Sequence, residues 1–314
     1  MKIRHVFHLP AHKQKDLDYL IRLEWWNLAF RISIVSILAL VLGNSQAMKV
    51  AWLEDMLSLI PPIAFLLAVR FRARAPNKTY PYGYQRVTII AFLLTAMALS
   101  SMGCILLIDS LIKLMQREHP SIGAIELFGH TIWMGWVMIA VLIYSVIPPV
   151  IIGRLQLKAA AKAHEKTVHA DGKMSKADWM TGLAAIVGVL GVGAGFWWAD
   201  AVAAAIIALD VTKDGFVNLK EAVSDLMDRR PHLTADRTPE HLEEALEDEL
   251  KALPWVIDAE VRLREEGHAF SGEAFVIPDS DEHLARRLAE ASEYLTNYDW
   301  RIYEIVVTAR PKES

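Results

Sequence analysis

Along the first two thirds of the chain, apolar positions come in long blocks, and charges collect in the seams between them. Residues 32–48, 87–108, 127–153 and 179–199 contain no Asp, Glu, Lys or Arg. Two further blocks, 49–69 and 201–217, are mostly apolar but carry acids: Glu54 and Asp55 in the first, Asp210 and Asp214 in the second. A helix needs about 20 predominantly apolar residues to cross a hydrocarbon core ~30 Å thick. The pattern therefore predicts a membrane α-helical protein with six transmembrane helices within residues 24–230, after a cytoplasmic N-terminal segment, residues 1–23. A charged lead and the lack of a small-residue cleavage pattern argue against a signal peptide in the first block.

From residue 231 the period changes. Thr238-Pro239-Glu240 reads as a helix start, with Thr as the cap and Pro in the first turn, and Leu242, Ala245, Leu246 and Leu250 share one face. WVIDAEVRLR then alternates, which places Trp255, Ile257, Ala259, Val261 and Leu263 on one side of a strand. Glu266-Gly267 reads as a turn, HAFSGEAFVI as a second strand, Asp281 to Leu295 as a second amphipathic helix and WRIYEIVVTA as a third strand. The order αββαβ predicts a small cytoplasmic α+β domain of ferredoxin-like shape over residues 231–314, one that gains from pairing with a second copy.

Charge adds orientation. Basic residues crowd the lead and the loops after the second and fourth blocks, for example Arg70, Arg72, Arg74, Lys78 and Arg86, whereas the alternate loops hold few. That asymmetry predicts cytoplasmic termini. The net charge of −4 hides a split: residues 1–230 hold 24 basic and 17 acidic residues, and residues 231–314 hold 9 and 20. An acidic tail argues against a nucleic-acid partner. The single cysteine, Cys104, forms no intrachain disulfide and leaves the redox compartment unread. No organelle-targeting segment is evident, which points to a bacterial inner membrane.

Three segments carry a resemblance. TYPYGYQR (Thr79 to Arg86) resembles the [FY]-G-x-x-[KR] element of the cation diffusion facilitator family, HADGKMSKADWMTG (His169 to Gly182) its A-D-x-x-H-x-x-x-D motif, and Phe196 to Pro231 its W-x-D-P…L-x-D segment. Together, in order, they cover nearly the whole chain. The resemblance implies a homodimeric secondary transporter that exports a divalent metal ion in exchange for protons. It also implies a tetrahedral metal site shared by the second and fifth spans.

Carried over residue by residue, that site falls on Glu54 and Ser58, with Asp55 adjacent, and on Met174 and Asp178. Four-apart residues share a helix face, and charges inside a membrane are costly enough to be paired or functional. Two departures stand out: Met174 replaces the expected His, and Ser58 the second acid. Thioether is a poor ligand for hard divalent ions, so the oxygen-rich remainder leans toward Mn²⁺ or Fe²⁺ over Zn²⁺. The loss of His also removes the readiest metal-for-proton exchanger near neutral pH.

Other residues carry weaker expectations. Arg86 and Asp228 match the family's charge interlock at the dimer contact. Asp171 reads as a loop or helix-start residue, and Arg31 as a base that snorkels to the cytoplasmic surface. Pro61-Pro62 and Pro148-Pro149 predict kinks. Asp109 pairs with Lys113 at i+4, and Asp210 is a weak candidate for proton relay. The lead histidines His5, His8 and His12, at i, i+3 and i+7, could share a helix face that binds a metal weakly or lies on a lipid surface beside Lys13 and Lys15, while the tail histidines (His232, His241, His268, His283) form no recognisable metal cluster.

The expected function is metal export by proton antiport, with the lipid bilayer as surroundings and no resident cofactor. The alternative is a non-transporting member of the same fold that acts as a regulatory or scaffolding membrane partner. No nucleophile–base pair, phosphate loop or H-E-x-x-H motif supports an enzyme.

Overall fold

A computed structural model describes residues 10–41, 55–117, 124–127, 130–193, 196, 198–233, 238–267 and 269–311. Its long helices are α1 (Ala11–Val41), α2 (Ile60–Arg72), α3 (Val87–Gln116), α4 (Met134–Ala163), α5 (Lys166–Gly193) and α6 (Ala199–Leu226). A two-stranded antiparallel hairpin, β1 (Ala124–Leu127) and β2 (His130–Trp133), precedes α4. The fourth apolar block was expected to be helical from Leu127, but its first residues form this hairpin and the helix begins at Met134.

Among the described residues, α3 and residues 139–163 of α4 are long and apolar enough to cross a membrane. Helix α3 is apolar all round: Phe92, Ala96, Leu99 and Met102 are buried, while Ile90, Leu94 and Met97 are 45–49% exposed. A helix apolar on every face suits a lipid surround rather than water. Trp25, Trp26 and Trp198 are also exposed, as interfacial aromatic anchors are.

Small residues let α3 and α6 approach closely. A Cβ on Gly103 would lie 2.7 Å from the Thr212 backbone, and one on Gly215 would lie 2.6 Å from the Ser100 backbone. Small side chains at such crossings replace hydrophobic drive with close van der Waals contact inside a membrane. Helix α4 packs along α5, and α1 lies against α4.

The acid-bearing second block does not form one kinked helix. Residues 55–57 are helical, 58–59 form a turn, and α2 restarts at Ile60 with its prolines in the first turn. Proline is tolerated there because its missing N–H has no intrahelical partner in any case. Pro148 and Pro149 lie inside α4.

The tail comprises α7 (Leu242–Lys251), β3 (Val256–Glu266), β4 (Ala269–Pro278), α8 (Leu284–Thr296) and β5 (Ile302–Ala309). Strands β3 and β4 are antiparallel, β4 and β5 parallel. Leu246, Leu250, Phe270, Ala274, Val276, Leu295 and Ile305 are fully buried between this sheet and the two helices. Two details differ from expectation. Thr238 and Pro239 pair back onto Leu233 and His232, so α7 starts only at Leu242. A register shift between Val256 and Asp258 turns Ile257 outward and puts Val256 in the core. A bulge adds one unpaired residue and reverses the inside–outside pattern on one side of it.

The α3–α6 crossing yields a direct prediction. Gly215→Ala forces backbones apart and is expected to cost about 1–3 kcal/mol. A lowered Tm of the detergent-solubilised protein checks it; an unchanged Tm would mean that α6 does not sit on α3 at Gly215.

Candidate cation site

Helix α1 carries Glu24, Asn27 and Arg31 at i, i+3 and i+7, and α5 carries Asp171, Ser175 and Asp178 at i, i+4 and i+7. Each set forms a polar stripe on one helix face, and the two stripes meet with Gln156 of α4 between them. Arg31 Nη1 donates to Asp178 Oδ2 at 2.8 Å, Nη2 donates to Ser175 Oγ at 3.0 Å, and Nε donates to Asn27 Oδ1 at 3.1 Å. Arg31 Nη2 also lies 3.6 Å from Asp171 Oδ1. Asn27 Nδ2 donates to Asp171 Oδ2 at 2.7 Å. Gln156 Nε2 donates to Asp171 Oδ2 at 2.7 Å and to Glu24 Oε1 at 2.9 Å. Glu24, Asn27, Arg31, Gln156, Asp171 and Ser175 are all buried, and Asp178 is 17% exposed.

Arg31 therefore does not snorkel. Its guanidinium turns inward, because two carboxylates of α5 lie within its reach and a buried charge needs such partners. Asp171 is likewise no loop residue: it lies within α5, fully buried.

The predicted ligands are only partly gathered. Asp178 sits at the end of the polar stripe, and Asp55 acts electrostatically on both Asp178 and Arg31. Ser58 is buried in the turn before α2. Met174 points elsewhere: it is fully buried in an apolar cluster with Leu99, Met102, Leu106, Ala208 and Val211 of α3 and α6. Glu54 lies outside the described residues. The described residues contain no group of three or more His, Cys, Asp or Glu set to hold a metal ion.

Residues 27–227 match the family profile of the cation efflux transmembrane domain. That span is well over half the chain. The protein belongs to the cation efflux family.

Cation efflux proteins are membrane transporters, not enzymes, and this chain is an integral membrane helical protein. It is 22% identical to the manganese efflux system protein MneS of Bacillus subtilis over 62% of this chain and 64% of that one. It is 25% identical to the manganese efflux system protein MneP of the same organism, over 73% of both. An uncharacterized transporter of Methanocaldococcus jannaschii is 22% identical over 52% of this chain and 54% of its own. The match thus spans just under two thirds of MneS.

Within this cation efflux protein, Glu24, Asn27, Arg31 and Gln156 are the participants that motif reading missed. The signal was present as periodicity: polar residues three, four and seven apart on helices otherwise apolar on that face.

A second buried charge cluster ties the tail to the helices. Lys166 Nζ lies 2.9 Å from Glu265 of β3, 2.8 Å from Asp225 and 3.5 Å from Glu221, both of α6. His164 Nε2 lies 3.4 Å from Glu265 Oε1. Burial pushes the Glu265 carboxyl up, but Lys166 and the His164 contact outweigh it and hold it below the usual carboxylate range. Beside it, the turn at Gly267 (φ +82°) abuts Thr88, where a Cβ would lie 2.6 Å from the side chain. Arg86 pairs with Asp228, both part-exposed, and its Nε lies 3.9 Å from Glu266. Exposed pairs of this kind contribute about 0–1 kcal/mol. Asp109 pairs with Lys113, while Asp210 lines a small cleft with Lys173, Lys176 and Asp214.

Two predictions follow from the buried charges. Removing one partner of a buried pair strands the other, at about 3–5 kcal/mol, so Arg31→Ala is expected to lower Tm sharply and Arg31→Lys to restore little, since one ammonium cannot span Asp178, Ser175 and Asn27. Glu265 has a depressed folded pKa, so its contribution is complete above the unfolded value of about 4.3 and is lost as pH falls through the folded value. Hydrogen exchange of β3 should therefore accelerate in acid for wild type and already at neutral pH for Glu265→Gln.

Proposed function

We propose that the protein exports a divalent metal cation across the membrane in exchange for protons, with Mn²⁺ the preferred substrate. The observation that carries this reading is Asp178, an acid at the edge of the apolar run of α5, at the motif position of the family, whose partner is the guanidinium of Arg31. Asp55, acting on the same acid from the start of the second block, supplies a second oxygen donor, and Glu54 and Ser58 are the further candidates. Oxygen donors favour hard ions such as Mn²⁺, and the similarity to the manganese efflux system proteins MneS and MneP supports manganese. Met174 contributes packing in this reading rather than a thioether ligand.

The wider arrangement belongs to the same proposal. Six spans rock about the Asp55–Asp178 region to expose it to either side, the termini lie in the cytoplasm, and the αββαβ tail is a ferredoxin-like module that pairs with a second copy. Arg86 and Asp228 hold the tail end of the bundle in that dimer.

The Arg31–Asp178 pair also favours the second reading, a non-transporting partner whose cation site is filled by its own guanidinium. Flux decides. Proteoliposomes with an internal metal dye and a pH dye are expected to show Mn²⁺ entry with opposite proton movement, reduced at least ~100-fold in Asp178→Ala, the equivalent of about 2.7 kcal/mol. No flux of Mn²⁺, Fe²⁺, Co²⁺, Zn²⁺ or Cd²⁺ through folded wild type would sink the transporter and leave the partner.

A further inference from the structure

One amide nitrogen, Gln156 Nε2, donates to both Glu24 Oε1 at 2.9 Å and Asp171 Oδ2 at 2.7 Å, so it bridges two carboxyl groups that are 0% and 1% exposed. Glu24 Oε2 and Asp171 Oδ1 have no hydrogen-bond donor, and Arg31 Nη2, at 3.6 Å from the latter, is too far to serve as one. An ionised carboxylate only accepts hydrogen bonds. Two of them on one amide nitrogen, out of water, need a positive charge beside them.

A proton fits better than a metal ion. The amides that line the pair, Asn27 Nδ2 and Gln156 Nε2, both present N–H groups to it. Donor groups pointing inward suit carboxyl oxygens and repel a bare cation. We propose that Glu24 and Asp171 form a proton-binding site, coupled to the cation acid Asp178 by Arg31. The coupling rests on the transport reading above; the proton site does not.

The charged groups that face the pair are few. Helix α1 contributes Glu24 and Arg31, α5 contributes Asp171 and Asp178, α4 contributes only the neutral Gln156, and Asp55 acts through Arg31 and Asp178. With one proton on the pair, Arg31 balances Asp178. A divalent ion that binds Asp178 displaces the guanidinium, which keeps its own proton. The next acid within its reach is Asp171. A full positive charge there favours the ionised form of both carboxyls. The shared O–H bond then breaks, its electron pair stays on the carboxyl oxygen, and the proton leaves to the cytoplasmic water from which the metal came. When the metal departs on the far side, Arg31 returns to Asp178 and the pair takes up a proton from that side.

The experiment uses full-length protein in lipid nanodiscs. Infrared spectroscopy at neutral pH should show a buried, protonated carboxylic acid band that shifts in D₂O and disappears in both Glu24→Gln and Asp171→Asn. Mn²⁺ added to weakly buffered wild type should release protons to a pH dye, whereas Glu24→Gln should bind Mn²⁺ and lose that release. Absence of the band in wild type overturns the proton site, whatever ion is carried. A band with undiminished release from Glu24→Gln overturns the coupling. Failure of wild type to bind any metal, with the band present, overturns the transport reading and with it the coupling, but leaves the proton site standing. If Glu24→Gln does not fold, the wild-type band and Asp171→Asn still decide.

Discussion

A guanidinium held between acids, out of water, is the constraint around which the helices are arranged. Arg31 cannot shed its proton, and an unpaired charge at that depth would be prohibitive. Helix α1 must therefore sit where Asp178, Ser175 and Asn27 take up its donors, and α5 must present Asp171 and Asp178 to that side. The flank of α5 beside that stripe is then left for Met174 and Ala177, which pack into α3 and α6. One helix thus meets a polar seam on one side and an apolar seam on the other.

The same logic operates at the end of the helices that meets the tail. Lys166, at the first turn of α5, is surrounded by Glu221 and Asp225 of α6 and Glu265 of β3. A change in the tilt of α5 or α6 has to move a strand of the tail or strand a buried charge. The first half of α5 therefore carries both a charged socket with Glu265, at its first turn, and a polar seam with Arg31 a few residues on, within one unbroken helix. Rigid elements between paired charges transmit displacement rather than absorb it.

Much of the architecture was legible from periodicity. Long uncharged blocks announced membrane helices, and alternation with amphipathic spacing announced the order of elements in the tail. The misses have local causes. The turn at residues 58–59 and the hairpin before α4 lie inside apolar blocks, where hydrophobicity says nothing of backbone path. Ile257 left the core because a bulge shifts register by one residue, which no alternation count can detect. Asp178, which the motif singled out, lies at the end of the polar stripe, whereas Arg31 was assigned to the surface because its reach to α5 depends on which helices are neighbours.

The amino-acid sequence by itself determined the kind of protein: apolar stretches too long and too free of charge to be anything but membrane helices, acids inside them that demand partners, and motifs of one family in order. It also determined the polar stripes on α1 and α5, since spacing alone places Glu24, Asn27 and Arg31 on one face, and Asp171, Ser175 and Asp178 on another. Tertiary structure decided what each stripe faces. It put Arg31 on Asp178, joined Glu24 and Asp171 through Gln156 and turned Met174 into an apolar seam. The physical reason is that helix period fixes direction within an element, whereas the partner of a buried charge depends on the packing of helices far apart in sequence.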